Sequence, residues 1–202
     1  MSVTTNNREV RLLYLASNNI HKAEELKALT QHRFNVRLAR ELDPQIVWDE
    51  TGTTFLANAQ IKADVVRKLT RHAVLADDSG LVVDALNGAP GVYSSRYAGV
   101  DGDDKANNAK LLNALHDVPD SKRTARFMCT LVFVDEHGHS TSFFGACEGR
   151  ILTAARGTHG FGYDPLFALE RDPRSMAELT EAEKNVISHR SRAVAAWLQA
   201  LG

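Results

Sequence analysis

The chain has 202 residues, 44% hydrophobic and 24% charged, with a formal net charge of −1. That composition suits one well-buried globular core and creates no global field favouring nucleic acid or a membrane surface. No apolar run approaches the ~18 residues of a membrane span, the polar opening MSVTTNNREV lacks a signal-peptide core, and Cys129 and Cys147 form no C-x-x-C pair.

These features predict a soluble cytoplasmic protein, a single domain over residues 1–202, and two buried free thiols. Val10–Ala16 (VRLLYLA) reads as a buried strand. Polar Ser17–Asn19 follows, and Ala23, Leu26 and Leu29 then form a helical stripe. Leu56, Ala59, Ala63 and Val66 predict a helix over about Thr54–Thr70. Ala73–Ala76 and Leu81–Val83 are strand-like runs on either side of an acidic pair, Asp77-Asp78. Gly88-Ala-Pro-Gly91 is a turn or loop. Asn107–His116 is a helix with Leu111, Leu112 and Leu115 inward. Phe127–Val134 and Thr141–Cys147 are strands joined by a hairpin tip at His137-Gly138-His139. Arg156–Pro165 (RGTHGFGYDP) is too glycine-rich for regular structure. Thr180 and Glu183 make a T-x-x-E capping box that opens the last helical region. Helices interleaved with strands, some joined as hairpins, predict an α/β fold: a central mixed sheet flanked by helices.

Five stretches carry candidate chemistry. Ser17-Asn18-Asn19-Ile20-His21-Lys22 joins a strand to a helix, where free N–H groups, polar side chains and a lysine suit phosphate. It lacks the glycines of a Walker A loop. On spacing alone the plainer reading is favoured: Asn18 or Asn19 caps the helix and Lys22 is solvated. Asn58 and Lys62 share a helix face downstream of Asp49 and Glu50, and by themselves read as its wet side.

Asp77 and Asp78 are the puzzle, since adjacent like charges repel. Strand alternation lets them face different ways, and at a strand end one can turn to solvent and the other into a cleft. A divalent cation would remove the repulsion, and Mg²⁺ prefers carboxylate oxygen shared with substrate phosphates. Without metal, one carboxylate should hold its proton more tightly. The alternative is a strand-terminal turn, with Asp77 capping and Gly80 supplying φ > 0. In Gly157–Asp164, Phe161 and Tyr163 offer faces for a flat ring, or pack back on the protein. Lys184 and His189 lie five apart, about 140° round a straight helix, so they can face one ligand only if the helix breaks. Ser188 is the predicted break, capping a new helix.

Together these stretches resemble the inosine triphosphate pyrophosphatase family over nearly the whole chain. The strongest parts are ADDSGLVVDALNGAPGVYSSRYAG (Ala76–Gly99), GFGYDPLF (Gly160–Phe167) and ELTEAEKNVISHR (Glu178–Arg190), with SNNIHK and ETGTTFLANAQIKA ahead of them. The resemblance implies two lobes around an active-site cleft and Mg²⁺-dependent hydrolysis of ITP, dITP or XTP to the monophosphate and pyrophosphate. It implies that Ser17, Asn18, Asn19, Ile20, His21 and Lys22 hold the triphosphate, with Lys62 reaching it from the second helix. Asp78 matches the proton acceptor and metal contact, Glu50 with Asp49 the second acidic site of the metal environment, and Ser79 a substrate contact. Phe161, Gly162, Tyr163 and Asp164 would form the base pocket, with Lys184, His189 and Arg190 contacting the nucleotide. The partners implied are a nucleoside triphosphate and a second copy of the chain, through Gly88–Gly99 with Tyr93 and Tyr97, with no nucleic acid and no membrane. Asn18 and His21 stand where many relatives carry glycine, and His159 where the residue is often small. The alternatives are a related pyrophosphatase for pyrimidine or other modified nucleotides, and a nucleotide-binding sensor without turnover. An aspartyl-nucleophile phosphatase fits less well, because the aspartates are adjacent rather than D-x-D.

Overall fold

The computed structural model describes residues 10–202; all but the last residue of MSVTTNNREV lies outside them. Six strands form one mixed sheet in the order β2-β1-β3-β4-β5-β6. They are β1 (Arg11–Ala16), β2 (Phe34–Leu38), β3 (Ala73–Val83), β4 (Thr124–Val134), β5 (Ser140–Ile151) and β6 (Phe167–Leu169). β1 is parallel to both β2 and β3, and the remaining pairs are antiparallel. Among the described residues five α-helices accompany them: α1 (Ile20–Leu29), α2 (Phe55–Arg67), α3 (Asp104–Ala114), α4 (Glu181–Ile187) and α5 (His189–Leu201). Among the described residues no helix is long and apolar enough to cross a membrane.

The two-residue period of the strands assigns each face its helices. Leu13, Leu15, Leu75, Leu131 and Phe133 pack with Leu26 of α1 and Val194 and Trp197 of α5. Tyr14, Ala16, Val74, Ala76 and Val132 pack with Ala59, Ala63 and Val66 of α2. A third cluster gathers the far ends of β3–β5, Leu111 and Leu115 around α3, and the segment after β5. It forms a second lobe. Both cysteines are free and buried.

β3 is one continuous strand, not two runs around a turn. Gly80 is not among the residues with positive φ. A methyl group there would sit 2.5 Å from both the Gly91 carbonyl and Ser94 Oγ. Close packing of a neighbouring turn, rather than a bend in the strand, therefore requires this glycine. In α2 the stripe begins at Ala59; Leu56 is 40% exposed. The predicted break at Ser188 is present. Ser188 ends α4 and, with ψ 159°, caps α5 by accepting from Ser191 N–H at 3.1 Å.

Gly145 fixes how α5 meets β5. A Cβ at this position would lie 2.1 Å from the His189 carbonyl oxygen and 2.6 Å from Ala193 N. The helix start bearing His189 and Arg190 is thus laid directly on the strand backbone. Gly145→Ala should cost about 1–3 kcal/mol through overpacking, read as a lower denaturation midpoint in urea.

Candidate active site

Parallel pairing of β1 with β3 stops at Ala16 and Ala76. The next two β3 residues, Asp77 and Asp78, keep only their β4 partners, Leu131 and Thr130. The acidic pair is therefore interior to one strand but sits where its neighbour has ended. Such a crevice beyond strand carboxyl ends is where open α/β sheets bind ligands. Neither aspartate turns to solvent; both are buried.

Asp78 continues the α2 face. Lys62 Nζ donates to Asp78 Oδ1 at 2.7 Å and to Glu50 Oε1 at 3.0 Å. Arg96 Nη1 donates to Glu50 Oε2 at 2.8 Å. Lys62 and Asn58, only 4% and 0% exposed, are not the wet side of α2. Asn58 Oδ1 accepts from Gly52 N–H at 2.8 Å, holding the loop that carries Glu50. Burial pushes the Asp78 carboxyl above its usual range despite Lys62, and its Oδ2 is buried without a partner. Burial opposes the Lys62 charge too, but Asp78 and Glu50 outweigh it and hold the ammonium protonated.

These groups line a hollow of about 590 Å³. Ser17, Asn18, Asn19, Lys22, Asp49 and Ser79 also border it. Asn19 caps α1, its Oδ1 accepting from His21 and Lys22 N–H at 2.9 and 3.2 Å. Ser17 Oγ accepts from Asn19 N–H at 3.1 Å. The cap thereby uses the backbone donors expected to meet phosphate, so side chains must do most of that work. Lys22 is not solvated. Its Nζ donates to Asp77 Oδ1 at 2.7 Å. Ile20 is half-exposed and borders neither this hollow nor the next.

Asp77 takes the α1/α5 face. Arg190 Nε donates to its Oδ2 at 2.6 Å, and Ser79 Oγ to its Oδ1. Burial opposes the Asp77 charge, but Arg190 and Lys22 outweigh it and hold the carboxyl well below the usual range. One neighbour of the pair thus rises and the other falls, through separate surroundings rather than mutual repulsion. Arg190 also donates to Glu25 and, at 3.0 Å, to Ser79 Oγ. Lys184 bridges Glu25 at 2.9 Å and Asp164 at 2.7 Å.

A second hollow of about 390 Å³ lies between α1, α4 and the glycine-rich loop, bordered by His21, Glu25, His159, Phe161 and Lys184. His21 faces this hollow rather than the first; its ring stacks on Phe161 at 5.5 Å and 17°. Lys184 Nζ stands 4.9 Å from the Phe161 centroid. Tyr163 lies instead in the second lobe's core, its hydroxyl donating to the Ser94 carbonyl at 2.8 Å. His189 stacks on Phe127 at 4.9 Å, and burial with Arg190 nearby pushes it down to about 3, so it is neutral at pH 7. Gly162 borders neither hollow. Its peptide is held by α3, Asp104 accepting from its N–H at 2.7 Å.

Sequence reasoning passed over Glu25 and Arg96. Glu25 lies three residues after Lys22 on one helix face, the only local hint of its role. Arg96 stands inside YSSRYAG, a quoted stretch in which it was given no part.

Adjacent substitutions should behave differently. Asp77→Asn breaks a buried cation–carboxylate network and should cost about 3–5 kcal/mol in chemical denaturation. Asp78→Asn should stay within about 1 kcal/mol of the parent protein, since burial already opposes its charge and Lys62 keeps Glu50. Burial opposes the Glu25 charge as well, but Arg190 and Lys184 lower its pKa from 4.5 to about 2. Its stabilising contribution, on the order of 3 kcal/mol, is therefore present above pH ~4.5 and lost as pH falls toward ~2. Glu25→Gln should flatten the stability–pH profile across that window.

A model of the Ham1 family matches residues 13–200. The chain is 49% identical to the dITP/XTP pyrophosphatase of Pseudomonas aeruginosa, over 94% of this chain and 96% of that one. It is 48% identical to the dITP/XTP pyrophosphatase of Listeria innocua, over 90% of each. A HAM1 protein from Coxiella burnetii superposes with a TM-score of 0.83 at 40% identity, covering 95% of this chain and 98% of that one. The family model spans all six strands but the start of β1, and the chain belongs to the Ham1 family.

Proposed function

We propose that this protein, acting as one domain, hydrolyses non-standard purine nucleoside triphosphates (ITP, dITP, XTP) to the monophosphate and pyrophosphate. The observation that carries the reading is the unpaired, buried Asp78 Oδ2 in the same hollow as Lys62, whose ammonium lies 2.7 Å from Asp78 Oδ1. Asp78 Oδ2 can accept a proton from water, while Lys62 and Lys22 offer charge to a polyanion.

Departure of pyrophosphate requires attack at the α-phosphorus. Asp78, raised toward neutrality by burial, orients and deprotonates the water. Lys22 and Lys62 draw the phosphates across the hollow. Asn58 keeps Glu50 in register, and Asn18, Asn19 and Ser17 supply side-chain dipoles. Among the described residues no three His, Cys, Asp or Glu side chains group tightly enough to hold a metal. That suits a cation shared with substrate phosphates. The unpaired Asp78 oxygen, Glu50 and exposed Asp49 fit Mg²⁺ as hard oxygen donors. The chemistry supplied there would be neutralisation of phosphate charge and a lowered water pKa.

The second hollow is our base site, with Phe161 as the ring platform. Three of the five N–H donors of Arg190 are engaged, by Asp77, Glu25 and Ser79. The remaining donors, with Lys184, can meet a purine 6-oxo group. Adenine presents a donor at that position, and an unpaired buried group costs about 1–3 kcal/mol. Rejecting GTP requires contacts at purine position 2.

A cytoplasmic location fits such a substrate. We also propose a homodimer through the Gly88–Gly99 face, where Tyr93 is exposed; Tyr97 instead packs against the second-lobe core under Lys110. Asp78→Asn should lower kcat by about 10²–10⁴-fold while keeping the native circular dichroism. Phosphorus NMR of an XTP digest should show pyrophosphate, not orthophosphate. EDTA should stop turnover and added Mg²⁺ restore it. Orthophosphate as the product, or undiminished turnover in the variant, would overturn the assignment.

A further inference from the structure

Helix α3 touches none of the reacting groups, yet its first two turns bind both halves of the site. Asp104 and Asn108 are four apart and share one helix face. Asp104 Oδ2 accepts from the Gly162 N–H at 2.7 Å. Asn108 Nδ2 donates to the Gly162 carbonyl at 2.8 Å and to the Asp104 carbonyl at 2.8 Å. Both polar groups of a single residue are thus fixed by one helix. Gly162 has a φ of +62°, a left-handed turn that swings Phe161 to one side and Tyr163 to the other.

Asn107, just before Asn108, grips the other half. Asn107 Oδ1 accepts from Ala98 N–H at 2.7 Å, and its Nδ2 donates to the Ser95 carbonyl at 3.0 Å. Ser95 and Arg96 border the phosphate hollow, as do Asp101 and Gly102 just before the helix. α3 is therefore a bracket between the turn that flanks the phosphates and the loop that carries Phe161.

We infer that Asp104 and Asn108 are positioning residues that set the aim of the Phe161 loop and so govern affinity for the base. This rests on the base-site reading above. Phe161 has no long tether of its own. Its backbone N–H donates to Asp164 at 3.0 Å, and its ring stacks on exposed His21 and faces the cations of Lys184 and Arg190. Releasing the Gly162 peptide frees the turn that aims the ring, but leaves Lys22, Lys62 and Asp78 untouched.

The test measures kcat and KM for XTP, together with inhibition by inorganic tripolyphosphate, which has phosphates but no base. In Asp104→Ala, KM should rise about tenfold, the effect of one or two lost hydrogen bonds. kcat should change less, and the tripolyphosphate inhibition constant should stay within about twofold. Asp104→Asn keeps an oxygen acceptor for Gly162 and should restore KM. Asn108→Ala should reproduce the Asp104→Ala pattern. Equal weakening of XTP and tripolyphosphate, or failure of Asp104→Asn to rescue, would mean a general structural role and overturn the inference. An unchanged KM in the Asp104→Ala/Asn108→Ala double variant would overturn it too. Phe161→Ala serves as the control on the base-site reading: an unchanged KM there removes the platform itself, whatever α3 does.

Discussion

Adjacent carboxylates on one extended strand must face opposite sides of the sheet, and the rest of the site follows from that constraint. Asp78 looks toward α2, and Asp77 toward α1 and α5. Each meets its own cations: Lys62 at 2.7 Å on one side, Lys22 and Arg190 at 2.7 and 2.6 Å on the other. The pair is tolerable because each carboxylate has its own hydrogen-bonded cation, with Lys22 near enough to favour both charges. It is useful because the two become different acids, one raised by burial and the other depressed by its partners.

The division of labour extends outward. The Asp77 side is a closed network in which Arg190, Glu25, Lys184 and Asp164 leave few oxygen atoms free. Buried networks of this sort add little net stability over apolar packing, yet losing one member is costly. Here the network fixes the guanidinium of Arg190 and the ammonium of Lys184 beside the Phe161 ring. The Asp78 side is incomplete: the residue lines the first hollow and one of its carboxylate oxygens is buried without a partner. Rigid and reactive chemistry are thus separated by the thickness of one strand.

Local signals in the sequence were readable and distant ones were not. The break at Ser188 needed only a cap and a five-residue spacing, both of which act within two turns of helix. Periodicity marked β1, parts of β3, β4 and β5, and the helices α1 to α3, whereas the edge strands β2 (Phe34–Leu38) and β6 (Phe167–Leu169) went unread. The burial of Asn58 and Lys62 was hidden, because their apolar helix gives no sign that Glu50 and Asp78 approach from outside it. Glu25 was hidden for the same reason: its partner Arg190 lies 165 residues away. Asp77 and Asp78 were legible as a pair but misplaced at a strand end, since the sequence of β3 does not reveal where β1 stops. Tyr163 admits two readings from sequence, a face for a flat ring or an aromatic packed back on the protein; its burial and its hydroxyl bond to the Ser94 carbonyl decide for the second, against the base-pocket place that the resemblance implied.

The lysines of the first hollow already have carboxylate companions before any nucleotide arrives. Capture of a polyanion is then an exchange of counter-ions, not the filling of an empty positive well. Some attraction is forfeited on entry, and the same carboxylates compete for the lysines when pyrophosphate leaves.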